Sequence, residues 1–147
     1  KRKKYWNCWK RLMLYFAYGS NLNHHQMTKI RCAGSKYLKS FILKNYKLIF
    51  CHPNKLNKYG YANIIKKKES KVTGAIWEIT KEHEKILDDY EQFPNIYQKE
   101  HFYLQGKKIM FYVMSKYIIK DPPKSYIDTI NKGYEDCNID LRINYRF

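Results

Sequence analysis

The stretch Tyr15-Phe16-Ala17-Tyr18-Gly19-Ser20-Asn21-Leu22 decides how this chain is read. Its apolar first half, which extends back to Leu12, has the length and aromatic content of a buried strand. The strand breaks at Gly-Ser-Asn, and Asn23 is a residue type that caps helices. A strand, a tight turn and a helix start in direct succession leave backbone N–H groups unpaired and pointing one way. Such a turn can hold a carboxylate, a phosphate or a developing oxyanion. The same residues also suit a plain connection that needs glycine for backbone reasons.

Working outward, Asn23 to about Arg31 reads as a short helix with Met27 and Ile30 facing inward. From Phe41 to Phe50 the pattern alternates, with Ile42, Tyr46, Leu48 and Phe50 on one face and Lys44 breaking it, as in a half-buried strand. The segment from His52 to Gly60 reads as loop, Tyr61 to Ile65 as a short strand and Lys66 to Ser70 as a polar turn. Val72 to Ile79 is apolar on both faces and carries Gly74, which suits a central strand with a bulge or a close approach. Thr80 can cap a helix from Lys81 to about Tyr90, with Glu82 and Glu84 in its first turn and Ile86, Leu87 and Tyr90 as its inner stripe. Pro94 forces that helix to end. Ile96 to Leu104 and Lys108 to Met114 form a hairpin about Gln105-Gly106-Lys107. Asp121-Pro122 opens a last helix whose stripe is Tyr126, Ile127, Ile130 and Tyr134. The expected fold is α+β, with about six strands and three helices, as either a mixed sheet or a small barrel with helices outside.

The chain has 147 residues, 44% hydrophobic and 17% aromatic, enough for one domain with a packed core. Its net charge of +16 raises nucleic acid as a partner. The charge is spread out, however, and only Lys1-Arg2-Lys3-Lys4 and Lys66-Lys67-Lys68 form dense runs. Such runs are usually solvated faces, and no base-stacking motif accompanies them, so nucleic acid is not expected. Residues 1–12, basic and containing Trp6 and Trp9, read as an N-terminal extension, and residues 13–147 as the single domain. No apolar run reaches the roughly 18 residues that span a bilayer. Leu12 to Tyr18 is short for a signal sequence and holds two tyrosines. Cys8, Cys32, Cys51 and Cys137 are widely spaced, which argues against a zinc ribbon and for reduced thiols in a cytoplasmic protein.

Among residues that carry chemistry, Glu91 comes first. It stands at the C-terminal end of the Lys81 helix, where unpaired carbonyls disfavour a carboxylate, and burial near Tyr90 and Phe93 would do so further. Both effects raise its pKa toward the range useful for proton transfer. A solvated surface carboxylate is the competing reading. His24-His25 cannot chelate one ion well, because neighbours on a helix do not face each other, and no third ligand sits at the right spacing. No metal is expected.

Taken together, Tyr15 to Leu22, Met27 and Arg31-Cys32 resemble the opening of the gamma-glutamylcyclotransferase family, whose superfamily includes the gamma-glutamylamine cyclotransferases, BtrG-type enzymes and AIG2-like proteins. Val72-Thr73-Gly74-Ala75-Ile76-Trp77 resembles the family's glycine-containing strand, and Leu87-Asp88-Asp89-Tyr90-Glu91 its "L-D-x-x-E" helix end. The resemblance implies a small closed mixed barrel and no cofactor. It implies Glu91 as general acid/base, a glutamyl-holding loop of Tyr18, Gly19, Ser20, Asn21 and Leu22, and nearby aromatic hydroxyls from Tyr97 and Tyr112. The implied activity is cleavage of a gamma-glutamyl amide by its own alpha-amine, releasing 5-oxoproline and a free amine or amino acid. The expected partner is a small-molecule gamma-glutamyl substrate, with the protein a monomer or homodimer and no membrane role. The alternative is a non-catalytic ligand-binding protein on the same fold. One departure stands out: Gln92 occupies the place where many members carry glycine.

Overall fold

A computed structural model describes residues 12–147, so the proposed extension lies almost wholly outside the described residues. Six strands form one mixed sheet in the order β4-β5-β1-β3-β2-β6. β1 (Leu12–Ala17) lies between β3 (Tyr61–Thr80), to which it is antiparallel, and β5 (Lys107–Val113), to which it is parallel. β2 (Lys36–His52) runs antiparallel to β3 as a long ribbon, and β6 (Ile118–Ile119) pairs with its end. β4 (Gln98–Leu104) closes the other side as a hairpin with β5, turning at Gln105-Gly106 where both φ angles are positive.

The sheet curls until β2 and β4 face one another. The rings of Phe41 and Phe102 stack there at 5.3 Å between centroids. Phe16, Ile76, Phe111 and Val72 fill the concave side, a core made almost entirely by strands. No ladder joins the outer strands β4 and β6, so the architecture is a curled sheet with helices on its outer face rather than a closed barrel. Gly74 lets β3 pack closely against β1, since a Cβ there would come within 2.6 Å of the Phe16 ring.

The outer face carries the second core, in which Tyr15, Ala17, Trp77 and Ile79 meet Leu22, Met27, Leu87 and Ile130. Two α-helices cover it, α1 (Lys81–Tyr90) and α2 (Lys124–Asp136). Thr80 caps α1 in a reciprocal box with His83, as its place before the helix predicts.

Several local expectations need correction. Residues 61–80 are one strand: Lys66 to Ser70 is a solvated stretch of a β3 that continues past it, with an irregularity where Asn45 and Glu69 take positive φ. A polar run reads as a turn because charge and solvent exposure look alike in both settings. The segment Gln26–Arg31 is a π-helix, closed by the Cys32 N–H on the Met27 carbonyl at 2.8 Å. Its wider turn carries Ile30 off the face that buries Met27, and Ile30 is 57% exposed. On α1 the buried residues are His83, Glu84 and Leu87, whereas Ile86 and Tyr90 are exposed. α2 starts at Lys124 after Pro123, so Asp121 is not its cap. Asp121 instead accepts a hydrogen bond from the Tyr145 hydroxyl. Among the described residues no helix is long and apolar enough to cross a membrane.

Candidate active site

A cavity of about 360 Å3 opens where the exit of β1, the end of α1 and the start of α2 converge. Tyr18, Gly19, Ser20, Asn21, Glu91, Tyr97 and Tyr112 all line it, so the strand-exit turn and the carboxylate from a helix some 70 residues away share one space.

Ser20–Leu22 is a single 3-10 turn. Its first bonds run from the Leu22 N–H to the Gly19 carbonyl (3.1 Å) and from the Asn23 N–H to the Ser20 carbonyl (3.0 Å). The N–H groups of Gly19, Ser20 and Asn21 precede these bonds, while that of Leu22 is already spent. The Leu22 side chain is fully buried below the cavity, where α2 rests on it. Gly133 makes that approach possible, because a Cβ would come within 2.6 Å of the Asn23 nitrogen and the Leu22 carbonyl carbon. The turn's side chains are held as well. Gln26 Nε2 donates to Ser20 Oγ (2.8 Å) and to Asn21 Oδ1 (3.0 Å), and Arg31 Nη1 donates to the same Asn21 Oδ1 (2.8 Å). Asn21 Nδ2 donates to the Tyr15 hydroxyl at 3.0 Å.

Opposite the turn, α1 ends in a Schellman arrangement. The Phe93 N–H reaches the Asp88 carbonyl at 2.9 Å and the Gln92 N–H the Asp89 carbonyl at 3.2 Å. Gln92 takes φ +49 to do so, the left-handed conformation for which glycine is the usual residue. Glu91, one residue earlier, is thereby fixed as the helix C-cap with its carboxyl group in the cavity. Among the described residues no group hydrogen-bonds that carboxyl. Burial raises its pKa from 4.5 to about 7, and the Arg31 guanidinium pulls the other way. Tyr90 contributes little cover, being half exposed. The enclosure comes instead from tyrosines of the cavity wall, Tyr15, Tyr18, Tyr97, Tyr112 and Tyr126, whose own ionisation is suppressed by burial and by the Glu91 charge.

The aromatic hydroxyls are committed to the protein. Tyr18 Oη donates to the Tyr112 carbonyl and Tyr97 Oη to the Ala62 carbonyl, each at 2.6 Å. Tyr112 Oη donates to Asp88 Oδ1 at 2.6 Å, and Lys99 Nζ holds the same carboxylate at 2.8 Å. These tyrosines shape and dry the cavity, and their oxygens retain acceptor capacity.

Sequence reasoning gave no site role to Arg31, Gln26, His52 or Tyr126, all of which line the cavity. Their proximity is a product of tertiary folding. Arg31 alone had a signal, ten residues past Asn21 in the same motif. His24 belongs elsewhere: its ring packs at 4.9 Å from Tyr37 and 5.1 Å from Trp77. Among the described residues no group of three His, Cys, Asp or Glu side chains is arranged to hold a metal ion. Cys32, Cys51 and Cys137 are buried free thiols.

The family described as gamma-glutamyl cyclotransferase, AIG2-like, matches residues 15–133. No curated protein matches the chain by sequence. Among solved structures, an uncharacterized protein from Homo sapiens is 25% identical with a TM-score of 0.77, covering 88% of this chain and 82% of its own. A gamma-glutamyl cyclotransferase is 24% identical with the same TM-score and coverage, a likeness of fold. YkqA from Bacillus subtilis is 17% identical with a TM-score of 0.69 and covers 91% of this chain but 52% of its own.

Proposed function

Since the chain belongs to the gamma-glutamyl cyclotransferase, AIG2-like family, we propose that it cleaves a gamma-glutamyl amide by letting the substrate's alpha-amine attack its own gamma-carbonyl. The observation that carries this reading is the meeting of the Glu91 carboxyl group, unpaired among the described residues, and the Tyr18 to Asn21 turn on a single cavity.

The steps need no cofactor. Holding the glutamyl chain folded converts an improbable conformer into the bound one and removes much of the entropic barrier to ring closure. The alpha-amine has a pKa of about 7.7–8, close to the value of about 7 at Glu91, so proton transfer between them is nearly balanced. Attacking as the neutral amine, the nitrogen bonds to the gamma-carbon as one of its two protons passes to Glu91, and the carbonyl oxygen becomes an oxyanion. The carbon–nitrogen bond to the leaving amine then breaks as Glu91 returns the proton to it. The N–H groups of Gly19, Ser20 and Asn21 would orient the alpha-carboxylate or support the oxyanion, with Leu22 anchoring the turn from below. Losing one oxyanion donor typically costs on the order of a hundredfold or more in rate. The products are 5-oxoproline and a free amine or amino acid.

Incubating the protein with a panel of gamma-glutamyl amino acids, amines and peptides, and measuring 5-oxoproline, tests the reading. Release from at least one donor is expected. Saturable binding of donors without release would favour a non-catalytic binding protein on this fold. We place the protein in the cytoplasm, acting on small molecules as a monomer or homodimer.

A further inference from the structure

We propose that Arg31 is a positioning residue for the base: the π-helical winding of residues 26–31 aims its guanidinium between Asn21 and Glu91, so that one side chain fixes the turn and lends its charge to the carboxylate. This rests on the reading of Glu91 as the proton carrier.

The geometry starts with the helix. In an α-helix, residues five apart point to different sides. The wider π-turn brings them back toward one side. Gln26 and Arg31 are five apart, and both donate to Asn21 Oδ1, at 3.0 and 2.8 Å. With Asn21 Nδ2 held by the Tyr15 hydroxyl, the carboxamide cannot flip, and the turn that carries it is locked from three directions. The π-helix is therefore what turns two ordinary polar residues into a clamp.

Arg31 then bridges to the other half of the cavity. Its guanidinium carbon lies 4.3 Å from the centroid of the Tyr90 ring, and Tyr90 immediately precedes Glu91. Its Nε is buried without an acceptor among the described residues. Interiors rarely retain an unpaired buried donor. Its presence in a side chain that lines the same cavity as Glu91 suits a group kept for its charge and reach rather than for packing.

The other groups facing Glu91 do not duplicate this charge. Tyr15 from β1, Tyr18 just past its end, Tyr97 before β4, Tyr112 from β5 and Tyr126 from α2 stay neutral, because burial suppresses their ionisation. His52, from the end of β2, lines the cavity and accepts the Asn54 N–H at its Nδ1. On α1 itself, Asp88 is engaged by Tyr112 and Lys99, and Glu84 by Lys99 and Lys81. Among the described residues, Arg31 is the cation whose charge acts on Glu91.

The test compares wild type, Arg31→Met and Arg31→Lys by two readouts. The first is direct titration of the Glu91 carboxyl by carbon NMR, which needs no turnover. The second is the pH profile of kcat/KM for 5-oxoproline release. Removing the cation favours the protonated acid, so Arg31→Met should move the Glu91 titration and the rising limb to higher pH by about one unit. At pH 7 that leaves about fivefold less of the basic form. Arg31→Lys keeps the charge but not the planar fork, so its limb should stay within about half a unit of wild type while KM rises several-fold. A folded Arg31→Met with an unmoved Glu91 titration overturns the proposal. Should that variant fail to fold, an Arg31→Lys with unchanged KM overturns it instead. Wild-type protein that releases no 5-oxoproline would sink the cyclotransferase reading, and the NMR titration would still decide the role of Arg31.

Discussion

On one side of the cavity Asn21 uses both ends of its carboxamide, accepting from Gln26 and Arg31 and donating to Tyr15, while Ser20 Oγ and Tyr18 Oη are also engaged. On the other side Glu91 has no hydrogen-bond partner among the described residues, and its proton affinity is set by burial. On the proposed reading, the contrast separates two tasks. Groups that must hold a ligand in one geometry are locked by their neighbours, because an unlocked turn would lose orientation. A group that must take and return a proton is left unpaired, because strong bonds to either of its states would fix it there.

The contrast predicts opposite signs for two polar deletions. Glu91 binds its proton more tightly folded (about 7) than unfolded (about 4.5). Folding stability therefore falls as pH rises through that window, and the whole cost is present above it. Glu91→Gln should then stabilise the protein by up to about 3 kcal/mol at pH 8 and by nearly nothing at pH 4. Urea denaturation at the two pH values measures this, and a pH-independent difference would mean the carboxyl is solvated. Asn21→Ala should instead destabilise by about 2 kcal/mol at both pH values, since it strands three partners in a partly buried place. An Asn21→Ala that unfolds at the wild-type urea midpoint would show that the turn holds without its clamp. The smallest effect belongs to Gln92. Glycine at this left-handed position should gain about 0.5–1 kcal/mol and raise Tm by a few degrees. A lower Tm would mean that the Gln92 side chain supplies more than its backbone strain removes.

Which parts were legible in the sequence follows from how far each signal reaches. β1 and its exit turn, the Thr80 cap and the Gln105-Gly106 hairpin are written in neighbouring residues, and they fold as their local chemistry dictates. The left-handed conformation of Gln92 was also foreshadowed, as glycine's usual place taken by another residue. The continuity of β3 past Lys66 to Ser70 was not legible, because it comes from pairing with β2 that stops at Lys66 and resumes at Lys71, on either side of an irregular stretch, and not from local composition. Neither was the π-helix, whose extra residue per turn leaves no compositional mark and shifts the buried face away from Ile30. Tyr126 reads as one stripe residue of α2, yet its hydroxyl reaches the cavity wall and accepts the Ala62 N–H at 3.0 Å. Such a contact spans 64 residues, and no periodicity encodes it.

The most direct trial of the account is 5-oxoproline release by Glu91→Gln, measured beside wild type on the best donor with folding checked by thermal melting. The amide keeps the shape of the side chain and cannot carry the proton. The account predicts a folded variant at least about a hundredfold slower than wild type. A folded Glu91→Gln that turns over at the wild-type rate would contradict it.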